Sequence, residues 1–265
     1  MLQIKEISKT FNPGTVNEKK ALRSLSLTLA DGDFVTVIGG NGAGKSTLLN
    51  AIAGTWFVDE GKILLDDKDV TGLPEDKRAK FLGRVFQDPM NGTAATMEIE
   101  ENLALAFRRG DKRTLRIGIT QAERKMYREV LARLGLGLEN RMTSKVGLLS
   151  GGQRQALTLL MATLKKPKVL LLDEHTAALD PKTAAKVLDT TEAIVNENHL
   201  TTLMITHTMR DAIQIGNRLI MMNNGQIIYD VAGEEKKKLT VEDLLRKFAE
   251  ASGEEFANDR MMLAK

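Results

Sequence analysis

Cysteine is missing from all 265 residues. That excludes disulfides and thiolate metal sites, and leaves the compartment open. Long apolar runs are missing as well. None approaches the roughly 20 residues that a membrane-spanning helix requires. Work at a membrane would therefore need another chain to supply the span. Excess charge is nearly absent, with a formal net charge of +3. Such a balance weakly favours anionic ligands and gives no support for a nucleic-acid binder. No internal repeat, low-complexity tract or long linker is found, and Met1 to Ile7 reads as a first strand, not a leader peptide. The remainder, 42% hydrophobic and 28% charged, is ordinary for a soluble protein of one or two domains with a buried core.

Against that plain background one stretch stands out, Phe34-Val35-Thr36-Val37-Ile38 followed by Gly39-Gly40-Asn41-Gly42-Ala43-Gly44-Lys45-Ser46-Thr47. It reads as a buried strand, a glycine-rich turn and a helix start, and it completes the pattern G-x-x-x-x-G-K-[ST] from Gly39 to Ser46. Glycines let backbone N–H groups converge on phosphate oxygens without a Cβ in the way. The helix start adds unpaired N–H groups and the positive end of its dipole. Lys45 has the charge to sit between the β- and γ-phosphates, and Ser46 the hydroxyl to ligate Mg²⁺. A nucleoside triphosphate, ATP, is the expected ligand.

The rest of the chain alternates strand and helix signals. Strands are expected at 2–7, 25–29, 61–65 and 83–87, with turns at Asn12-Pro13-Gly14 and Asp66 to Asp69. From about 97 to 165 the pattern turns helical, over Met97 to Phe107, Gln121 to Leu134 and Arg154 to Leu164. Thr120 and Glu123 fit a capping box, and Gly110 to Gly118 reads as an exposed basic connection. Lys168 to Asp173 is a continuous apolar strand of the kind found inside a parallel sheet. A helix opens at Pro181 and runs to about Glu197, a strand covers 200–206, and another helix follows His207. Asn224-Gly225 joins two short strands, 218–223 and 226–230, as a hairpin. The charge run Glu234-Glu235-Lys236-Lys237-Lys238 is expected to face solvent, ahead of an amphipathic helix from about Val241 to Ala251.

Asp173 ends a buried strand, where a carboxylate suits Mg²⁺, usually through water. Glu174 beside it is placed to polarise a water for attack on the γ-phosphate. Leu149-Ser150-Gly151-Gly152-Gln153-Arg154-Gln155 resembles the signature of the ATP-binding cassette ATPases. The order also matches that family: phosphate loop, Gln87, signature, Asp173-Glu174, Thr176-Ala177-Ala178-Leu179-Asp180, then His207. The resemblance covers the chain from Leu2 to about Val231.

Several expectations follow from that resemblance alone. The fold is α/β, a P-loop NTPase core with a mostly parallel sheet, an N-terminal antiparallel β part and a helical signature subdomain. The core takes 1–90 and 166–232, the helical subdomain 91–165, and a helical tail 233–265. Family members pair head to tail, so Ser150, Gly151, Gly152 and Gln153 act on ATP held by the partner. Gln87 senses Mg²⁺ and the attacking water, His207 contacts the γ-phosphate, and Asp180 helps join the two sites. Phe11 stacks on adenine, with a core phenylalanine after the first strand as the lesser alternative. The family often carries proline where this chain has His175, which is read as a local variant and not as a metal ligand or second base.

The activity implied is Mg²⁺-dependent ATP hydrolysis, with Glu174 as base or water orienter. The output implied is transport, through a membrane-spanning permease whose coupling helix docks near Gln87 and residues 88–107. Asp173 to Pro181 resembles a bacterial subgroup that works with a lipoprotein-type substrate-binding protein and an amino-acid-like permease. Import of a small solute, with aromatic amino acids as the narrower expectation, is the leading reading. The subunit would then lie at the cytoplasmic face of the cell membrane. An exporter ATPase, or a soluble regulatory ATPase acting on a nucleic-acid or protein complex, remain as alternatives.

Overall fold

The computed structural model describes residues 1–111 and 118–252. Most of the expected basic connection, and the last thirteen residues of the tail, lie outside the described residues. The strands are β1 (Leu2–Phe11), β2 (Lys19–Leu29), β3 (Phe34–Ile38), β4 (Glu60–Leu65), β5 (Lys68–Asp69), β6 (Leu82–Val85), β7 (Val169–Asp173), β8 (Thr202–Ile205), β9 (Arg218–Asn223) and β10 (Gln226–Ala232). The helices are α1 (Lys45–Ala53), α2 (Glu75–Arg78), α3 (Ile99–Phe107), α4 (Gln121–Ala132), α5 (Gly151–Thr163), α6 (Pro181–Asn198), α7 (Met209–Gln214), α8 (Gly233–Lys237) and α9 (Val241–Ser252). The chain divides into two compact units, the first from Met1–Arg78 with His199 onward, the second from Ala79–Asn198.

The first unit holds an antiparallel sheet in the order β2-β1-β4-β5. It also holds a mixed, mainly parallel sheet in which β3 pairs parallel with β8 and β9, and β10 closes antiparallel on β9. Every residue of β3 is buried, as expected of a parallel strand covered on both faces. Strand β1 runs four residues further than its apolar pattern suggests, and β2 begins six residues earlier. Cross-strand pairing such as Phe11↔Lys19 extends the hairpin through polar residues, because a ladder needs backbone partners more than an apolar face. Asp66 and Asp67, at φ 47° and 62°, form the turn between β4 and β5. Asn224 and Gly225, at φ 46° and 78°, form the expected one between β9 and β10.

Two short helices, α2 and α8, carry no periodic apolar signal, and each delivers a buried cation. Arg78 is fully buried. Its guanidinium donates to the carbonyls of Leu73 (2.7 Å), Thr71 (2.8 Å), Ala51 (2.7 Å) and Ile52 (2.9 Å). The last two belong to the final turn of α1, where a cation opposes the negative end of the helix dipole. Burial draws the Arg78 pKa down to about 10. Lys236, expected to face solvent with its charge run, is instead 2% exposed. Its ammonium donates to the carbonyls of Ile215 (2.5 Å) and Gly216 (2.9 Å), just past α7. Hydrogen bonds to carbonyls make that burial tolerable, and composition does not reveal them. Beyond α8, α9 sets Leu244 and Phe248 into a core with Met209, Ala212 and Leu219.

In the second unit β6 and β7 pair parallel, with Val85 opposite Leu172. Its helical core gathers Ile99, Leu103, Tyr127, Leu131, Leu138 and Leu157, among others. Three helices there begin with complete capping boxes: Glu98 with Glu101, Thr120 with Glu123, and Ser150 with Gln153. The second of these is the one expected from sequence. Each box satisfies two helix-end donors with the helix's own side chains.

Arg78→Met leaves several buried carbonyls without a donor. It is expected to lower stability by about 2–4 kcal/mol, read as a lower urea midpoint with an unchanged slope.

Candidate functional site

The residues at 39–47 sit where β3 ends and α1 begins. Gly39 has φ +154°, and a Cβ there would meet the Met222 carbonyl oxygen at 2.2 Å. Gly44, the residue that caps α1, has φ +101°, and a Cβ would lie 2.5 Å from the Ala21 carbonyl oxygen. Only glycine fits either place. No side chain caps α1 and its first turn carries no acidic residue, so nothing in the helix competes with an incoming anion for its N-terminal field. Lys45 is 8% exposed, and its ammonium donates to the carbonyls of Gly39 (2.7 Å) and Gly40 (3.1 Å). It is thus held in the loop's mouth and not in open solvent. Ser46 is exposed beside it. A cradle with backbone donors, one cation and one free-facing hydroxyl fits a polyphosphate and its metal ion.

His207 lies at the same carboxyl-end edge, because β3 pairs parallel with β8, Val37 opposite Ile205. Its exposed ring follows Thr206, whose N–H donates to Val37 (3.1 Å). Asp211, one helical turn further on, has its carboxyl pKa raised by burial, with the nearby His207 opposing that shift. Phe11 ends β1 and is half-buried, its ring 5.4 Å from that of Trp56 at an interplanar angle of 83°. An exposed Trp56 next to Phe11 gives the first unit a second aromatic at that place, one that sequence reasoning did not single out.

In the second unit Asp173 ends β7 after four buried residues. The Arg84 guanidinium lies 4.0 Å from its carboxylate. Glu174 follows with φ +42°, a left-handed conformation that costs a non-glycine residue of order 1–3 kcal/mol. His175 is 2% exposed, and its Nε2 lies 3.0 Å from Thr191 Oγ1 on α6. Burial pushes its pKa down to about 4, so the imidazole is neutral at ordinary pH.

Gln87 is exposed, two residues beyond β6. The preceding carbonyl, of Phe86, accepts from Gln155 Nε2 at 3.3 Å. Gln155 is completely buried on α5. No sequence signal sets Gln155 apart from the neighbouring Gln153 and Arg154, and only folding reveals this link. At the head of α5, Ser150 Oγ accepts from the Gln153 N–H (3.3 Å) and Gln153 Oε1 from the Ser150 N–H (3.2 Å). Gly151 and Gly152 pack beside Leu179 and Thr183, where a Cβ on Gly152 would come within 2.2 Å of Thr183 Cγ2. Asp180 stands in that same segment and accepts from the Thr183 N–H at 3.1 Å. Hydrogen bonds from Thr183 hold its carboxyl below the usual range. The second unit thus brings Ser150, Gly151, Gly152, Gln153 and Asp180 into one neighbourhood, and Asp173 and Glu174 into another at the strand ends.

A family model described as ABC transporter matches residues 22–177. The chain belongs to the ABC transporter family. Among its relatives, it is 47% identical over 249 residues to the tyrosine transport ATP-binding protein of Clostridioides difficile, covering 94% of this chain and 98% of that protein. To the phosphonates import ATP-binding protein PhnC of Lactobacillus gasseri it is 32% identical over 97% of both chains. Among solved structures, a dimeric ATP-binding cassette in a post-hydrolysis state with ADP and Pi superposes with a TM-score of 0.74 at 28% identity, over 88% of this chain and 98% of that one. The protein is an ATP-binding, ATP-hydrolysing subunit of an ABC transporter.

Gly39→Ala is expected to force the loop off its present path. Strain of about 1–3 kcal/mol corresponds to about 5- to 150-fold weaker nucleotide binding. Titration with a fluorescent ATP analogue measures this, with circular dichroism confirming that the fold persists.

Proposed function

We propose that this ABC ATPase energises the import of a small solute through a membrane-spanning permease, with an aromatic amino acid as the narrower substrate. The observation that carries this reading is the 47% identity, across nearly the whole of both chains, to a tyrosine transport ATP-binding protein. The import role of the PhnC relative supports the direction of transport. Among the described residues no helix is long and apolar enough to cross a membrane, so the span falls to a partner. A permease and a lipoprotein-type substrate-binding protein are the proposed partners, with the ATPase peripheral on the cytoplasmic face. Residues 88–107 are the proposed docking segment for the permease, and Met90 and Leu105 there are exposed. The functional division proposed is an ATPase core at 1–90 and 166–232, a helical signature subdomain at 91–165 and a tail at 233–265.

The roles proposed for the site residues are these. Gly39 to Gly44 and Thr47 wrap the phosphates with backbone donors, Lys45 neutralises charge between the β- and γ-phosphates, and Phe11 stacks on adenine. Ser46, Asp173 and Gln87 would hold Mg²⁺, which when bound neutralises charge on the transferring phosphoryl group. Glu174 orients and deprotonates the attacking water, and His207 holds the γ-phosphate. Ser150, Gly151, Gly152 and Gln153 reach ATP bound by a second copy, head to tail, and Asp180 helps join the two sites. The dimeric cassette among the solved relatives supports that assembly.

Glu174→Gln is expected to keep ATP binding, to lower hydrolysis about 100-fold or more and to accumulate an ATP-dependent dimer on size-exclusion chromatography with light scattering. Unchanged turnover would remove Glu174 from its role. For the transport reading, the chain should copurify with a multispanning permease, and tyrosine with its binding protein should stimulate ATP hydrolysis in reconstituted vesicles. Recovery with ribosomes or DNA and no permease would reject it.

A further inference from the structure

We propose that His175 is a positioning residue for Glu174, its imidazole locking the turn that carries the carboxylate onto α6 through Thr191. The inference rests on the proposed water-orienting role of Glu174. A non-glycine residue in the left-handed region persists only where its surroundings over-determine it, and Glu174 is such a residue. One constraint is local. The Ala177 N–H donates to the Glu174 carbonyl at 3.0 Å, closing a four-residue turn with His175 and Thr176 at its centre. The second position of such a turn is where proline would add rigidity through its ring. His175 instead reaches out of the turn to a helix.

The direction of that contact is forced. Thr191 Oγ1 lies 2.8 Å from the Val187 carbonyl oxygen. Two oxygens that close need a proton between them, and only the threonine has one. The hydroxyl proton therefore belongs to Val187, and His175 Nε2, 3.0 Å from the same hydroxyl oxygen, must be the donor. This puts a proton on Nε2 and fixes the plane of the ring. The anchor is stiff, since α6 runs for 18 residues and Thr191 is fully buried on it with Val187 and Val195. A fixed ring one residue after Glu174 limits how far that peptide can rotate, and so where the carboxylate points. Displacement of a reacting group by about 1 Å is enough to cost up to about 100-fold in rate.

The test is steady-state ATP hydrolysis by the full chain, with melting temperature measured alongside. His175→Leu and Thr191→Val are each expected to lower kcat about tenfold and to change KM for ATP by less than about twofold. The double variant should be no slower than the slower single one, because both break the same link. His175→Gln, which places an amide donor near the Nε2 position, and Thr191→Ser, which keeps the hydroxyl, should retain most of the rate. A purely packing role would lower the melting temperature and leave kcat intact, or would make the Gln variant as slow as the Leu variant. Either result overturns the proposal. If the Leu variant fails to fold, Thr191→Val against Thr191→Ser carries the same comparison. Glu174→Gln run in parallel separates the two levels. Full turnover there removes the role of Glu174 and this inference with it. A slow Glu174→Gln beside full-rate His175→Leu and Thr191→Val overturns only the role of His175.

Discussion

A helix N-terminus left open to an anion is the constraint around which the first unit is built. Strand β3 is buried along its whole length and ends in a loop that only glycine can follow at Gly39 and Gly44. Helix α1 then begins with no side-chain cap and no acidic residue in its first turn. Lys45 turns its ammonium back onto the loop carbonyls, which keeps the charge at the mouth of the cradle. At the far end of the same helix, the buried Arg78 guanidinium satisfies the last carbonyls. The carboxyl end of α1 is thus matched by a cation from its own unit, while its amino end stays available to an anion.

The head of α5 is built the opposite way. Ser150 and Gln153 cap each other's backbone N–H groups, so this N-terminus is stable by itself and still exposed at Ser150 and Gly151. Gly152 lets it pack onto Thr183 in the segment that carries Asp180. Such a surface is held by its own hydrogen bonds without a ligand, which suits the role proposed for it above. Buried Gln155 bonds the carbonyl of Phe86, next to Gln87. The helix that carries the signature and the loop that carries Gln87 are therefore mechanically joined within the second unit.

Much of this was legible from residues alone. The phosphate loop, the Thr120–Glu123 cap, the Asn224-Gly225 hairpin and the continuous strand at 169–173 each depend on a local pattern with a local physical cause. Where sequence reading fell short, the missing cause was a partner distant in the chain. Lys236 looked like one charge in a solvated run, yet carbonyls after α7 bury it. Strand β2 starts early because β1 offers it backbone partners, not because Lys19 and Lys20 favour a strand. Helix α2 is four residues long and has no apolar periodicity; Arg78 holds it through bonds to Thr71, Leu73 and the end of α1.

The order of motifs by itself determined the family and pointed to a nucleoside triphosphate as ligand, since both depend on residue identity at a fixed spacing. Only the tertiary structure decided how those residues are held. It placed Glu174 in a left-handed conformation, buried His175 against Thr191, and set His207 and the phosphate loop at the same carboxyl edge of a parallel strand pair. The reason is physical. Motif spacing constrains neighbours along the chain, whereas strain, burial and the direction of a hydrogen bond depend on atoms that meet only after the chain has folded.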